Sequence, residues 1–418
     1  MKLKLLSIFE FDNFAKNHPL GSYHQSSKYA LLMAEQGYDY ELIGLVDREN
    51  KIHAAALILY KSLNMFCRYG YSPKGFLIDY YNTELLEEFL NLIKKRYYRK
   101  NFAFIKINPE IAIGAVDYKT KTIKYNKNKN IDLNLRKLGC IKHEGDMHFE
   151  SKLPRFNAIE VLKNSNFNDY DKNTRNKIKK AIKNGLTFSK GTRENIENIF
   201  EFIKRKKDHN IFHYYNYYNA FQQNDNIDIF IVKMNFEKSL ISLRKRYEKE
   251  LDKNNLIVKK VMANATKENL QKKLESDKKL TSINEDIGNI TKDLSKENEK
   301  IIAGCITIKY KNRVYILISG YDPKYKQFAP NYYLHYKLIE YYKNNFDYLD
   351  LNGITGDFSK TNPYHGLDKF KLSFQPLAFE YIGEYDFIIN KGLYDTMNQS
   401  GELSKEFKKE KIRTKEYL

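Results

Sequence analysis

A lysine follows a phenylalanine late in the chain, Phe370-Lys371, inside YLDLNGITGDFSKTNPYHGLDKFKLSFQPLAFEYIGEYDF (residues 348–387). Tyr348, Leu349 and Leu351 open that stretch as a buried strand, and a loop punctuated by Gly353, Gly356, Pro363 and Gly366 follows. A second strand ends it at Tyr381-Ile382-Gly383. A strand, a glycine-studded loop and a lone lysine beside an aromatic ring put a cation at the lip of a cleft, where it can meet negative charge on a substrate. The same spacing also fits an ordinary hairpin with an exposed lysine.

A second group with chemical potential is basic. Residues 171–185, DKNTRNKIKKAIKNG, predict a helix with a glycine stop, carrying Arg175, Lys177, Lys179, Lys180 and Lys183. The aromatic run Phe212, His213, Tyr214, Tyr215, Tyr217, Tyr218 lies downstream. A basic helix near aromatics suits RNA or phosphate, and equally describes a solvated charged face. Asp79 either orients Lys74 or caps the helix after it. His24, His53, His143, His148 and His335 are scattered without ligand spacing, so no metal site is expected.

Composition narrows the partners. The chain has 418 residues, enough for two or three domains, and is 42% hydrophobic, which marks it as globular. Its formal net charge of +20 favours polyanions: nucleic acid, phosphorylated substrates or an anionic membrane surface. Cys67, Cys140 and Cys305 have neither metal nor redox spacing, which fits a reducing cytosol; Cys305, beside Gly304 in a strand pattern, reads as core. The start lacks the apolar stretch of a secretion signal, and no run of 18 apolar residues occurs. A cytoplasmic protein, at most peripheral to the membrane, is expected.

The elements that must position these groups follow a repeated plan. In residues 1–150 helices are predicted at 10–17 and 26–36 and strands at 40–46, 52–60 and 63–71. An amphipathic helix, TELLEEFLNLIKKRYYRK, then leads to the strand NFAFIKINPEI. Residues 151–235 restart the plan with the basic helix, a helix near 193–208 and the strand NIDIFIVKM. Residues 236–300 interrupt it. Leu280, Ile283, Ile287, Ile290 and Leu294 are three and four apart, a coiled-coil seam. Two helices reversing near 263–268 predict an antiparallel arm about 40 Å long at about 1.5 Å per residue. The plan resumes over 301–395 with a hairpin turning at Lys311-Asn312-Arg313, a helix and the strand at 348, and a charged tail fills 396–418. Strand–strand–helix–strand, seen twice, is the order of a GNAT-like acyltransferase fold. The expected class is therefore α/β (α+β), two such subdomains with an inserted helical arm.

Over residues 1–395 the sequence also resembles the Fem family of peptidoglycan-bridge aminoacyltransferases. The resemblance rests on FAKNHPLGSYHQ (14–25), on Tyr71-Ser72-Pro73-Lys74-Gly75 with Asp79-Tyr80, similar to the family's Y-x-P-R-G-P-V-x-D-Y, and on Ile107-Asn108-Pro109-Glu110. The basic helix, the inserted arm, Gly320, Tyr325 with Phe328-Ala329, Gly353-Ile354 with Gly356, Gly366-Leu367, Phe370-Lys371 and Tyr381-Ile382-Gly383 complete it. It implies transfer of glycine, serine or alanine from aminoacyl-tRNA to the stem-peptide amino group of a peptidoglycan precursor. An aminoacyl ester is already activated, so the chemistry needs no cofactor, metal or covalent nucleophile. It needs a positioned, deprotonated amine, a stabilised oxyanion and a held tRNA.

On that resemblance Lys371 is the catalytic cation and Phe370 packs the substrate. Tyr71, Lys74, Asp79, Asn108, Tyr218 and Asp357 bind substrate, and Arg175, Lys179, Lys180 and Lys183, with the arm, contact tRNA. The partners implied are aminoacyl-tRNA, the lipid-linked precursor and Fem-type homo- or hetero-oligomers, and no DNA. Departures matter. The family's D-P-E turn often carries an aspartate proposed as general base, and here it is Asn108, which cannot take a proton usefully. The base is then a substrate phosphate, a water or another residue, with His213 and Asp357 as candidates. A family phosphate contact falls near Leu31–Met33 and another on Tyr214, so both are lost; this favours a lipid-linked over a nucleotide-linked acceptor. Lys74 keeps the charge of the family's arginine without its bidentate geometry. Two rivals stand beside this reading. One is an acetyl-CoA N-acyltransferase, which would want a [QR]-x-x-G-x-[GA] loop where the chain has Gly320-Tyr321-Asp322-Pro323-Lys324-Tyr325. The other is a non-catalytic RNA-binding protein.

Overall fold

A computed structural model describes residues 1–143, 147–148, 152–204 and 210–406. Among them the strands form two sheets. The first runs, edge to edge, Lys2–Leu5, Asp39–Val46, Ile52–Ser62, Arg68–Ser72, Phe102–Ile107, Tyr385–Ile388, Cys140–Lys142. The second runs Leu186–Lys190, Ile227–Asn235, Glu299–Tyr310, Arg313–Tyr321, Tyr348–Ile354, Phe156–Val161, Leu377–Tyr381, Ala112–Asp117, Thr122–Tyr125. The α/β class expected from the sequence is the class observed.

Each sheet contains one parallel pair joined through a helix. In the first, Arg68–Ser72 and Phe102–Ile107 are joined by Thr83–Tyr98 and stay paired from Arg68 to Ser72. In the second, Arg313–Tyr321 and Tyr348–Ile354 are joined by Pro330–Tyr342, but pair only from Arg313 to Tyr315. There the backbone departs from regular strand geometry: Asn352 takes a φ of 67°, and the ladder to Phe156–Val161 slips between Asp350 and Gly353. The parallel strands part at Tyr315 and Asp350. A gap opens there that the first sheet lacks.

The halves exchange strands. Ala112–Asp117 and Thr122–Tyr125 leave the first half to close the second sheet, and Tyr385–Ile388 returns into the first. Below that returning strand Lys106, 1% exposed, lies 2.9 Å from Asp386 and 3.7 Å from Glu384. One buried cluster spans both halves, with Phe11, Tyr29 and Leu57 packed among Ile199, Tyr217 and Ile318. In the C-terminal stretch Met397 and Leu403 are buried with Tyr69 and Phe104. Residues 205–209, where the sequence ends a helix, and 407–418 lie outside the described residues. Cys305 is fully buried in a core, as its sequence pattern suggested.

The arm is two helices, Phe236–Ala263 and Lys267–Leu294, turning where the sequence places the reversal. Twenty-eight residues each make about 42 Å. Asn235 and Thr266 cap them by accepting the N–H groups of Lys238 and Asn269. Apolar burial is strongest toward the root: Leu243, Ile283 and Ile290 are at most 1% exposed, while Leu256, Leu270 and Met262 farther out are 60%, 49% and 81% exposed. Asp293 anchors the root by accepting from the Tyr325 hydroxyl (2.9 Å) and pairing with Lys324. Asn254 donates to Asp277 across the seam (2.7 Å). No helix among the described residues is long and apolar enough to cross a membrane.

Candidate active site

Lys371 lies beside the gap between the parted strands, and it is not on an exposed lip. Residues 365–372 form a helix, and Lys371 on it is 6% exposed, where the sequence suggested a lysine at the lip of a cleft. The difference comes from a buried polar latch. Asp368 accepts from the backbone N–H of Thr355 (3.0 Å), the Thr355 hydroxyl (2.5 Å) and the Asn362 amide (3.0 Å). Asn362 also donates to the Thr355 hydroxyl oxygen (2.7 Å) and the Asp357 carbonyl (2.9 Å). These bonds fold the glycine-rich loop onto the helix and carry Lys371 inward.

The Lys371 ammonium donates to the Gly353 carbonyl at 2.6 Å. Ammonium has three donors, so two remain for another group. Burial lowers the lysine to about 8, although Asp368 and Asp350 favour the charged form. Phe370 points its ring into the protein, edge to face with Tyr332 (4.8 Å), His335 (4.7 Å) and Phe374 (5.7 Å). Burial pushes His335 down to about 4, so that ring is neutral at physiological pH.

A chain of buried charges reaches this place from the first sheet. Tyr71–Gly75 makes a tight turn with Lys74 at φ 58° and Gly75 at φ 76°. Asn108 clasps it, accepting the Lys74 N–H (2.8 Å) and donating to the Tyr71 hydroxyl (3.2 Å). The amide thus does a positioning job with both of its ends. Gln25 braces the turn by donating to the Pro73 carbonyl (2.6 Å). A Cβ on Gly75 would lie 2.7 Å from the Pro109 Cα. Gly75→Ala is therefore expected to destabilise the fold by ~1–3 kcal/mol, through strain at positive φ and displacement of Pro109 and the Asn108 clasp. A urea-unfolding curve checks it; an unchanged midpoint would show that the turn gives way freely.

From that turn the Lys74 ammonium lies 3.4 Å from Glu110 and 5.1 Å from the Tyr381 ring centroid. Glu110 also pairs with Arg313 and accepts from the Tyr381 hydroxyl (3.4 Å). Burial opposes the Glu110 charge, but Lys74 and Arg313 outweigh it and hold the carboxyl at about 2. Arg313 in turn lies 3.9 Å from Asp350, which is 4% exposed and also favours the Lys371 cation. A cavity of about 60 Å³ separates the ends of this chain, lined by Tyr23, His24, Lys74, Asn157, Tyr315 and Asp350. Burial and the neighbouring Lys74 push His24 down to about 3.

The other sequence candidates scatter. Asp79 is exposed, and its carboxylate accepts the Tyr81 N–H (2.9 Å). Neither job considered for it is its own: Lys74 pairs with Glu110, and Asn82 caps the helix by accepting from Leu85. Asp357 is held low by the Ser359 bonds and then by His148, which is 3.1 Å away; a low carboxylate makes a weak base. His213 sits edge-on to Tyr214 (5.2 Å) and Tyr217 (5.1 Å) on the helix Ile211–Phe221. Tyr218, on the same helix, is half-buried against the core that spans both halves.

The basic helix runs Lys172–Lys183 and stops at Gly185, φ 73°. Lys179 and Lys183 are exposed, and Arg175 is half-buried. Lys180 leans toward the arm; burial and Arg246 lower it, while Asp286 of the arm supports its charge. The residues that sequence reasoning passed over are Arg313, Asp350, Thr355, Asn362 and Asp368. In the sequence Arg313 reads only as a turn residue, and Glu110 only as the end of an N-P-E motif. For Arg313 and Glu110 the signal was a charged residue beside an apolar strand, whose partner appears only once the two halves meet, whereas Thr355, Asn362 and Asp368 bond to one another within one segment.

The FemAB family matches residues 6–400. A protein named Lipid II:glycine glycyltransferase from Staphylococcus aureus (strain bovine RF122 / ET3-1) is 26% identical over 408 residues, 93% of each chain. Its counterpart from Staphylococcus aureus (strain USA300) is 25% identical over 409 residues, again 93% of each. The crystal structure of FemX has the same fold, with a TM-score of 0.71 at 21% identity, covering 96% of this chain and 100% of that one.

Proposed function

The chain belongs to the FemAB family, and on that premise we propose that it transfers an amino acid from aminoacyl-tRNA to the stem-peptide amino group of a lipid-linked peptidoglycan precursor. The observation that carries this is the similarity to lipid II:glycine glycyltransferases over 93% of both chains. Glycine is the first amino acid to test on the same ground, ahead of serine and alanine. We take the protein to work in the cytoplasm, peripherally at the membrane that carries the acceptor. Its organisation would be two GNAT-like subdomains (1–150; 151–235 with 301–395) with the 236–300 arm between them, able to assemble as Fem-type oligomers.

The chemistry follows from the buried cation. As the acceptor amine attacks the ester carbonyl, charge builds on the carbonyl oxygen. Lys371 has two donors to offer it, in a site where burial strengthens the interaction. The Gly353 carbonyl and the Asp368 latch hold the ammonium in place beforehand, so little reorganisation accompanies the reaction. Phe370 serves through its packing, since its helix is fixed on Pro330–Tyr342 by that ring. Tyr71, Lys74 and Asn108 shape the acceptor side, and Tyr218, Asp79 and Asp357 are outlying substrate contacts in this reading. Arg175, Lys179, Lys180 and Lys183 take tRNA phosphates.

The test is transfer of radiolabelled glycine, serine or alanine from charged tRNA to lipid-linked precursor. RNase-sensitive transfer of glycine is the expected result. Transfer from acetyl-CoA with none from any tRNA would leave only the fold in common with the family.

A further inference from the structure

At the end away from the Lys74 turn, the first sheet closes in the turn between Ile52–Ser62 and Arg68–Ser72. We propose that this turn, with Met65 and Phe66 at its tip, docks the protein on an anionic lipid bilayer. The proposal rests on the lipid-linked acceptor of the reading above and names the surface that meets the membrane carrying it.

Apolar exposure is the first argument. Met65 is 91% exposed and Phe66 74%, side by side at a turn, where glycine and small polar residues are the usual choice. A single apolar side chain on a surface is ordinary, but this pair is held out by a fixed frame. Leu63 donates its N–H to the Cys67 carbonyl (2.8 Å). The Asn64 side chain accepts the Phe66 N–H (2.9 Å) and donates to Glu402 (3.1 Å). Cys67 is buried, and Leu63 packs against the cluster that holds it with Met397 and Leu403. The frame thus turns Leu63 and Cys67 inward and Met65 and Phe66 outward. Two side chains standing clear of a narrow turn offer a protein partner little of the roughly 800 Å² a side that a stable complex buries. They suit a fluid apolar phase, which closes around whatever enters it.

Charge is the second. Arg68, Arg99 and Lys405 are exposed and, among the described residues, enter no ion pair. Arg68 stands opposite Ser62 in the hairpin, and its N–H goes to the Asn101 carbonyl (2.9 Å). That bond brings the end of the helix Thr83–Tyr98 to the same edge, with Arg99 and the exposed Tyr98 ring. Of the carboxylates there, Glu41 pairs with Arg96 and Lys100, Glu402 accepts from Asn64, Glu406 accepts from the Tyr69 hydroxyl (3.4 Å), and Asp39 is exposed. The chain leaves the described residues at Glu406, beside this edge, and the sequence beyond it is basic. Residues 407–418 carry Lys408, Lys409, Lys411, Arg413 and Lys415 against Glu410 and Glu416. Cations around an apolar tip, with a tyrosine at the rim, make a surface complementary to anionic headgroups.

Distance is the third. Arg68–Ser72 runs from the tip to the turn that holds Lys74, five residues that span about 15 Å at about 3.3 Å per residue. Phe102–Ile107 runs beside it in the same direction and ends at Asn108. A bilayer at the tip therefore lies about one strand away from the residues that shape the acceptor side in this reading. The acceptor amine belongs to a stem peptide and not to the lipid, so the site has to stand off from the membrane.

The test uses the full chain carrying Phe66→Trp. The sequence has no tryptophan, so the new side chain is the sole indole reporter. Its emission is expected to shift to the blue with vesicles of equal parts phosphatidylcholine and phosphatidylglycerol, to change little with phosphatidylcholine alone, and to respond less at high salt. Flotation with the mixed vesicles should weaken about tenfold or more when Met65→Ser and Phe66→Ser are combined. It should be unchanged in Met262→Ser, a comparably exposed apolar residue at the far end of the arm. An unchanged thermal midpoint verifies the fold. Emission that ignores lipid, flotation that the double variant retains, or an equal loss in Met262→Ser overturns the docking surface. Self-association without lipid that the double variant abolishes overturns it too, and assigns the tip to a second copy of the chain. The underlying reading fails separately: no transfer to precursor dispersed in detergent sinks the lipid-linked acceptor, whereas transfer there without vesicle binding sinks only the tip.

Discussion

Lys371→Ala is expected to lower kcat by about 10²–10³-fold, the range found when one oxyanion donor is removed, with KM for the acceptor little changed. The reason is that, in the proposed mechanism, the ammonium acts on charge that exists only in the transition state. The pH profile separates this role from a structural one. Burial lowers Lys371 to about 8, and in the proposed mechanism the protonated form is the active one. The wild-type rate should rise at low pH as the acceptor amine loses its proton, then fall as pH passes about 8. In Lys371→Arg the falling limb should vanish, since a guanidinium keeps its proton throughout the range. Stability moves the other way. The folded pKa lies below the unfolded value of 10.5, so the cost of burying the charge is fully present below about pH 8 and is relieved between about 8 and 10.5. A wild-type rate that climbs through pH 8 just as Lys371→Arg does would show that loss of the lysine's proton does not limit transfer, and would overturn the charged-lysine role.

Much of this site was legible because local rules were obeyed. The seam from Leu280 to Leu294 predicts the arm, and the helix breaks at Ala263–Lys267, where the pattern breaks. Gly185 ends the basic helix because a residue at positive φ was needed there. What stayed hidden depends on side-chain contacts that no local pattern announces. Lys371 reads as exposed until Thr355, Asn362 and Asp368 close the loop around it. Asn108 reads as a lost base until Lys74 and Tyr71 show it to be a clasp. No periodicity announces that Tyr385–Ile388 will leave its own half to pair with Phe102–Ile107. An edge strand finds its partner through the whole fold, and a charged residue finds its counter-ion the same way.

Glu110→Gln is expected to cost about 3–5 kcal/mol of stability, because it takes the counter-ion from buried Lys74 and from half-buried Arg313 at once. Glu110 follows the last central strand of the first half, while Arg313 opens a strand of the second sheet. Lys74 comes from the turn that Asn108 holds, so the carboxylate joins three separate segments. Removing one partner leaves the desolvation of the others uncompensated, a larger effect than the net worth of the intact pair. A cycle of Glu110→Gln, Arg313→Gln and the double variant should therefore be far from additive, the double costing less than the sum by about 1–3 kcal/mol. Acid gives an independent check. With a folded pKa of about 2, below the unfolded 4.5, Glu110 contributes stability that is whole above about pH 4.5 and is lost as pH falls toward 2. Glu110→Gln should lack that part of the acid slope. It should also lower transfer activity beyond its effect on folding, since Arg313 reaches toward Asp350, and Asp350 supports the Lys371 cation. Additive variants with an unaltered acid slope would mean that the two halves are joined by apolar packing alone and that the charges merely sit between them.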